Sequence, residues 1–204
     1  PLDPLEPKNI AKAVKELGLK YIVITSVTRD DLQDGGASHF AECLTEIKKL
    51  TPKVQTEILT PDFKGNTESL DTIIKTPLNV FNHNIETVPR LYKTARPQAI
   101  YERSLDVLKY VKENSKIHTK SGLMVGLGES FEEIEQTLKD LKNIDCDIVT
   151  IGQYIQPSKE HLSVEKYYTL EEFEQLKTLA KNIGIKNYQI GPLVRSSYNA
   201  AEAL

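Results

Sequence analysis

Cysteine is scarce in this chain of 204 residues: it has two, Cys43 and Cys146, and neither has a cysteine neighbour. That excludes a disulfide framework and makes a reducing compartment the default. Neither thiol belongs to a spacing that holds an iron–sulfur cluster. No apolar run approaches the ~18 residues of a membrane span, and no signal-peptide pattern opens the chain. A strong charge of either sign is also missing. The net charge of −3 gives no electrostatic case for nucleic acid, which would favour a basic face. Internal repeats and low-complexity segments are absent too. What remains is an ordinary globular composition, 39% apolar and 27% charged, at a length that suits one buried domain over residues 1–204.

Apolar, β-branched runs recur at roughly the interval of one strand–helix unit. They are Tyr21–Ser26, Val54–Leu59, Asn79–Phe81, Ser121–Val125, Ile148–Tyr154 and Tyr188–Ile190. Helical spacing fills the gaps. Ile10, Val14 and Leu17 precede Gly18; Leu105, Leu108 and Val111 line one face of Tyr101–Asn114; and a helix follows from Ala37. Phe131, Ile134, Leu138 and Leu141 share one face, as do Leu170, Phe173, Leu176 and Leu179, the latter ending before Gly184. Ser130 with Glu133, and Thr169 with Glu172, fit capping boxes at the starts of these last two helices.

Alternating strands and helices with near-continuous apolar strands predict an α/β fold whose parallel sheet is covered by helices. An open doubly wound sheet and a partial (β/α) barrel both satisfy this. Polar clusters after nearly every strand favour the barrel, because a barrel assembles its site from all the loops at one rim. The clusters are Thr25/Ser26, Thr60/Asp62, Asn82/His83/Asn84/Glu86, Gln153/Tyr154/Gln156 and Arg195/Ser196/Ser197. An open sheet would concentrate them at one switch point. The first element is a helix, so the first strand of a βα repeat is expected to lie upstream. The opening Pro-Leu-Asp-Pro-Leu-Glu-Pro has no methionine, as expected of a chain cut from something longer.

Each candidate motif has a plain reading beside its functional one. Gly122, Gly126 and Gly128 could present backbone donors to a ligand. Their spacing fits neither the Walker nor the dinucleotide pattern, and a tight strand–helix turn is the better bare reading. Strand alternation puts Asn82 and Asn84 on one face and His83 on the other, where His83 is expected to be a satisfied structural histidine. Lys120 could be a Schiff-base lysine; without a partner base, a solvated or ion-paired lysine is favoured. Arg29, Asp30, Asp31 and Asp34 could attract a divalent ion, but more often such a run is a charged loop. Cys43, at helical spacing with Phe40, Leu44 and Ile47, reads as a small buried hydrophobe. Cys146, between two aspartates, is expected to be more exposed.

Taken in order, Tyr21–Phe40, Thr56–Phe63, Val80–Thr87, Pro89–Tyr92, Lys120–Glu129, Ile151–Ser158 and the terminal Gly-Pro-Leu-Val-Arg-Ser-Ser-Tyr of Gly191–Tyr198 resemble the lipoyl synthases. These are radical S-adenosylmethionine enzymes, and the resemblance spans essentially the whole chain. It implies a partial (β/α) barrel with two 4Fe–4S clusters. One is held by a CxxxCxxC loop and reduces S-adenosylmethionine. The auxiliary cluster, on cysteines further upstream, donates sulfur to C6 and C8 of an octanoyl chain carried on a lysine of a lipoyl carrier domain. By the same resemblance Ser196 or Ser197 ligates the auxiliary cluster and Arg195 orients it. Thr25, Ser26, Asn82, Asn84, Glu86, Gly126, Gly128 and Gln153 would receive S-adenosylmethionine, while Met124 and Leu127 could line the acyl channel. The implied partners are the octanoylated carrier and an electron donor such as a ferredoxin or flavodoxin. The implied location is the cytoplasm, or a mitochondrion or plastid in a eukaryote.

Both cysteine motifs of the family would lie before Pro1, so this chain holds no radical-cluster cysteine and is expected to be inactive by itself. Two other readings compete. One is a non-catalytic remnant that binds the octanoylated carrier; the other is a cluster-free aldolase-type barrel using Lys120. An open edge where a strand is wanting is further expected to limit solubility.

Overall fold

The computed structural model describes residues 1–198 and 200–203. Its order is α1 (Glu6–Glu16), β1 (Tyr21–Thr25), α2 (Ala37–Leu50), β2 (Gln55–Leu59), α3 (Thr67–Ile74), β3 (Val80–Asn82), α4 (Tyr92–Ala95), α5 (Tyr101–Asn114), β4 (His118–Val125), α6 (Phe131–Asn143), β5 (Ile148–Gln153), α7 (Leu170–Ile183) and β6 (Asn187–Ile190). Short 3₁₀ turns occur at Phe63–Gly65, Pro89–Leu91 and Ala200–Ala203.

All six strands are parallel and pair in sequence order, β1 to β6. No strand order reversal interrupts the sheet, so it has no switch point. It curves as part of a (β/α) barrel and stays open between β1 and β6. The partial barrel expected from the distribution of polar clusters is the observed architecture.

Local signals place the helices. Ser130 accepts from the Glu133 amide at 3.3 Å while the Glu133 carboxylate accepts from the Ser130 amide at 2.8 Å. Thr169 and Glu172 make the same reciprocal pair, at 3.2 and 2.9 Å. Gly184 ends α7 in the left-handed region at φ 87°, a conformation costly to a residue with a Cβ. The main core lies between the outer face of the sheet and its helices: Ile58, Phe81, Leu108, Val149 and Phe173 are all essentially inaccessible. A smaller cluster of Ala11, Val14, Ile47 and Val54 fixes α1 and α2. Both cysteines are buried. Cys146, expected nearer the surface, has Thr119 and Ile148 carbonyls as its Sγ partners.

Alternation at the end of β3 works as the sequence predicts. His83 turns outward to the helices, where Nδ1 contacts the Thr60 carbonyl at 2.9 Å and Nε2 the Ser104 hydroxyl at 3.0 Å. Burial pushes its pKa from 6.5 down to about 4, against the opposing effect of the Thr60 carbonyl. The unfolded chain therefore binds a proton between those values that the folded chain refuses. Stability is full above the unfolded pKa and is lost as the pH falls through this window, with a slope of up to ~1.4 kcal/mol per pH unit. Urea midpoints taken between about pH 7 and about pH 4 should show this slope, and His83→Gln should flatten it. An unchanged slope in the variant would mean that other groups set the acid limit.

Candidate functional site at the carboxyl ends of the strands

The inner face of the sheet is organised by one carboxylate. Glu57, in the middle of β2 and inaccessible to solvent, receives the Lys120 ammonium from β4 at 3.1 Å on Oε1 and 3.2 Å on Oε2. The Tyr21 hydroxyl of β1 donates to Oε2 at 2.5 Å, and the Asn82 amide of β3 donates to Oε1 at 2.8 Å. Burial pulls the Lys120 ammonium below the usual lysine range, and Glu57 pulls it back. Burial, and then Glu57, holds the Tyr21 phenol protonated well beyond its ordinary range. The Schiff-base alternative for Lys120 is not favoured by this geometry: the amine is buried and committed to a counter-ion. Asn82 lies in the same layer, with Oδ1 buried and unpartnered.

One turn of the pleat nearer the rim, Asn84 is half-buried. Its Nδ2 donates to the Ser196 hydroxyl at 3.1 Å, a contact between the loop after β3 and the terminal motif. Its Oδ1 is buried and has no partner. Gly122 leaves the room this needs, since a Cβ there would stand 2.6 Å from Thr150 Oγ1 and 3.0 Å from Asn84 Oδ1.

Glu86 follows in a left-handed conformation, φ 66°, unusual for a residue with a side chain. Its backbone is pinned to β4 through the Gly122 carbonyl and the Met124 amide. Arg96 donates to the Asn84 and Ile85 carbonyls at 3.2 Å each and stacks 5.3 Å from the Tyr92 ring, clamping this loop. Burial raises the Glu86 pKa, with Arg96 and then Asn84 opposing. Glu86 and Arg96 line a cavity of about 360 Å³ with Met124, Leu127, Gln153 and Arg195.

The glycine-rich turn is internally satisfied. The Gly126 and Leu127 amides donate to the Glu129 carboxylate at 2.6 and 2.9 Å. Gly126 has φ 108°, and a Cβ on it would lie 2.3 Å from the Gln153 amide and 2.5 Å from the Lys166 carbonyl. Gly128 has φ 99°, and its carbonyl accepts from Arg90 at 2.8 Å. The two amides that a ligand could have used are occupied by Glu129. Gln153 is committed as well: Nε2 donates to the Tyr154 and Lys166 carbonyls at 3.0 Å, and Oε1 accepts from the Tyr168 amide at 3.0 Å. Thr25 and Ser26 stand apart, exposed at the end of β1 beside a separate cavity of about 250 Å³ against Glu6, Arg29 and His39. Arg29 there is paired with Asp31 at 2.6 Å, a charged loop as its plain reading holds.

The structure therefore brings Asn84 to Ser196, and Glu86, Met124, Leu127, Gln153 and Arg195 to one cavity. It leaves Asn82 beneath them and Thr25 and Ser26 at the β1 edge. Ser197 is exposed. Sequence reasoning missed Glu57, Gly152, Arg96 and Glu129. Glu57 had a signal, a charged residue at the centre of a strand run that opens on Val54 and closes on Ile58 and Leu59.

Residues 1–141 match the Radical SAM superfamily. Over 201 residues the chain is 54% identical to the lipoyl synthase of Caldanaerobacter subterraneus subsp. tengcongensis, covering 98% of this chain and 70% of that protein. The chain belongs to the lipoyl synthase family. It is 57% identical over 196 residues to the Caldicellulosiruptor bescii lipoyl synthase, covering 96% of this chain and 67% of that one. With the Dichelobacter nodosus lipoyl synthase it shares 54% over 203 residues, 98% of this chain and 63% of the relative. The chain thus spans about two thirds of these relatives' length. Among solved structures, the maturase HydG superposes with a TM-score of 0.70 at 13% identity, over 92% of this chain and 44% of that one. SuiB from Streptococcus suis bound to S-adenosylmethionine gives 0.67 at 15% identity, over 88% and 40%. These two agree with the partial barrel and bear on the fold alone.

Within this lipoyl synthase family member, the coupling of the inner layer can be measured. Lys120→Met alone strands the Glu57 carboxylate and is expected to cost about 3 kcal/mol or more, whereas Glu57→Gln combined with Lys120→Met should cost clearly less. Urea unfolding of the single and double variants checks this. A double-variant cost equal to the sum of the Lys120→Met and Glu57→Gln costs would mean that the two groups are not coupled.

Proposed function

We propose that this chain forms the S-adenosylmethionine-binding part of a lipoyl synthase, which inserts two sulfur atoms at C6 and C8 of a protein-bound octanoyl chain. The observation that carries the reading is the cavity that gathers Glu86, Met124 and Arg195, next in the chain to the Asn84–Ser196 contact, in a chain 54% identical to lipoyl synthases.

The chain's own residues suit S-adenosylmethionine at that mouth. Asn84 Oδ1 lacks a donor, and the ligand brings an ammonium group and two ribose hydroxyls. A half-buried Glu86 in the same place suits a cationic ligand. The apolar wall of Met124 and Leu127 suits adenine or the octanoyl chain. Gly126, Gly128 and Gln153 would act by shaping the wall, since their polar groups are occupied. Asn82 would support Asn84 from below, and Thr25 and Ser26 would act at the β1 edge.

The residues present do not by themselves fit a 4Fe–4S cluster. Burial pushes Cys43 up to about 11 and Cys146 up to about 12, which disfavours the thiolate that iron requires. Among the described residues no group of three His, Cys, Asp or Glu side chains is placed to hold a metal. The chain offers a cluster at most a terminal hydroxyl, Ser196 or Ser197, steadied by Arg195. We therefore propose that residues 1–204 alone do not turn over. In the complete enzyme the two clusters would supply reducing electrons and sulfur, the partners being an octanoylated carrier and a ferredoxin- or flavodoxin-type donor, and the setting cytoplasmic.

S-adenosylhomocysteine titrated calorimetrically into this chain should bind saturably, and Asn84→Ala should weaken it about tenfold, or ~1.4 kcal/mol. No saturable heat would remove the S-adenosylmethionine reading, and growth of a lipoate auxotroph on this chain alone would remove the inactivity. Capture of an octanoylated carrier without S-adenosylhomocysteine binding would favour the carrier-binding remnant.

A further inference from the structure

The terminal segment after β6 returns over the inner face instead of leaving it. The Gly191 amide still pairs with the Ile151 carbonyl, extending the β5–β6 ladder. From there the chain turns, and the Val194 carbonyl passes directly over Gly152: a Cβ on that glycine would sit 2.2 Å from the Val194 oxygen and 3.2 Å from its carbon. Backbone cannot yield as a flexible side chain could, so only glycine admits this crossing. Arg195 Nη1 reaches the Val194 carbonyl at 2.9 Å and the Gln153 carbonyl at 3.4 Å. The next residue, Ser196, takes the Asn84 amide at 3.1 Å. Beyond it the 3₁₀ turn Ala200–Ala203 lies against both β1 and β6, the two edges of the open sheet.

We propose that Gly152 and Asn84 are positioning residues that seat Ser196 on the inner face of the sheet while leaving Ser197 in solvent. Gly152 sets the height of the strap by close backbone approach. Asn84 sets its lateral position by giving Nδ2 to Ser196, while its Oδ1 lies against β4, 3.0 Å from where a Cβ on Gly122 would stand. One amide then links the terminal hydroxyl to the loop carrying Glu86, which lines the cavity where the reading above puts the small-molecule ligand. The inference deepens that reading and rests on it for its functional meaning, but its test needs neither ligand nor cluster.

The two native thiols are both buried, which makes a cysteine placed on the strap a clean reporter. Ser196→Cys and Ser197→Cys, each in this chain, are compared by their rate of reaction with a disulfide reagent. Ser196→Cys should react at least ~10-fold more slowly than Ser197→Cys, as a seated residue must wait for local opening. Adding Gly152→Ala, or separately Asn84→Ala, should erase most of that difference while Cys43 and Cys146 stay protected. A general loss of structure would instead release the two native thiols. Equal rates for the two positions in the parent background would overturn the proposal. So would slow labelling of Ser196→Cys that survives Gly152→Ala or Asn84→Ala. If Gly152→Ala exposes the native thiols, the Asn84→Ala background decides alone, and an unchanged rate there overturns the proposal. A failure here with intact S-adenosylhomocysteine binding sinks only the seating of Ser196, whereas lost binding with intact seating sinks only the ligand reading.

Discussion

The inner face of this sheet depends on the Glu57 carboxylate. Four consecutive parallel strands meet on it through Tyr21, Glu57 itself, Asn82 and Lys120. A charge so deep is tolerated only because both oxygens are filled by an ammonium, a phenol and an amide. The arrangement also limits what the layer can do. An amine held 3.1 Å from its counter-ion is a structural cation, and the Asn82 amide that gives one of its two hydrogens to Glu57 keeps its Oδ1 unpartnered. Such a network is weak evidence for added stability, because a well-packed apolar layer would cost less to desolvate.

Above that layer the strand ends are crowded, and small residues decide what can approach. Gly122 makes space for Asn84 and Thr150, Gly126 for Gln153 and the 154–168 loop, and Gly152 for the returning terminal segment. Polar groups that read as ligand contacts in a list of motifs are, in several cases, consumed in building the rim. Glu129 takes the amides of the glycine-rich turn, and Gln153 closes the loop that runs from Tyr154 to Tyr168. The groups left without a hydrogen-bond partner, Asn84 Oδ1 above all, are therefore the more informative ones.

Folds of this kind serve many reactions. Family membership rests on identity along nearly the whole chain, and chemistry on what the rim offers. Here that is a half-buried carboxylate, an unpartnered amide oxygen, an apolar wall and a hydroxyl delivered by the terminal segment. Both thiols are buried, with Cys146 Sγ against the Thr119 and Ile148 carbonyls.

Much of the fold is legible in the sequence. Periodicity placed the six strands and the main helices, because burying one face of a helix or both faces of a strand leaves a spacing in the chain. Capping boxes at Ser130 and Thr169 marked helix starts, and alternation after β3 turned His83 away from Asn82 and Asn84. These are local consequences of backbone geometry, and the chain determines them by itself. Only the tertiary structure decided that Glu57 answers Lys120, that Asn84 holds Ser196 across the barrel mouth, and that Gly152 lies beneath Val194. Each of those contacts joins segments far apart in sequence. Their distances depend on sheet curvature and register, which no local pattern encodes.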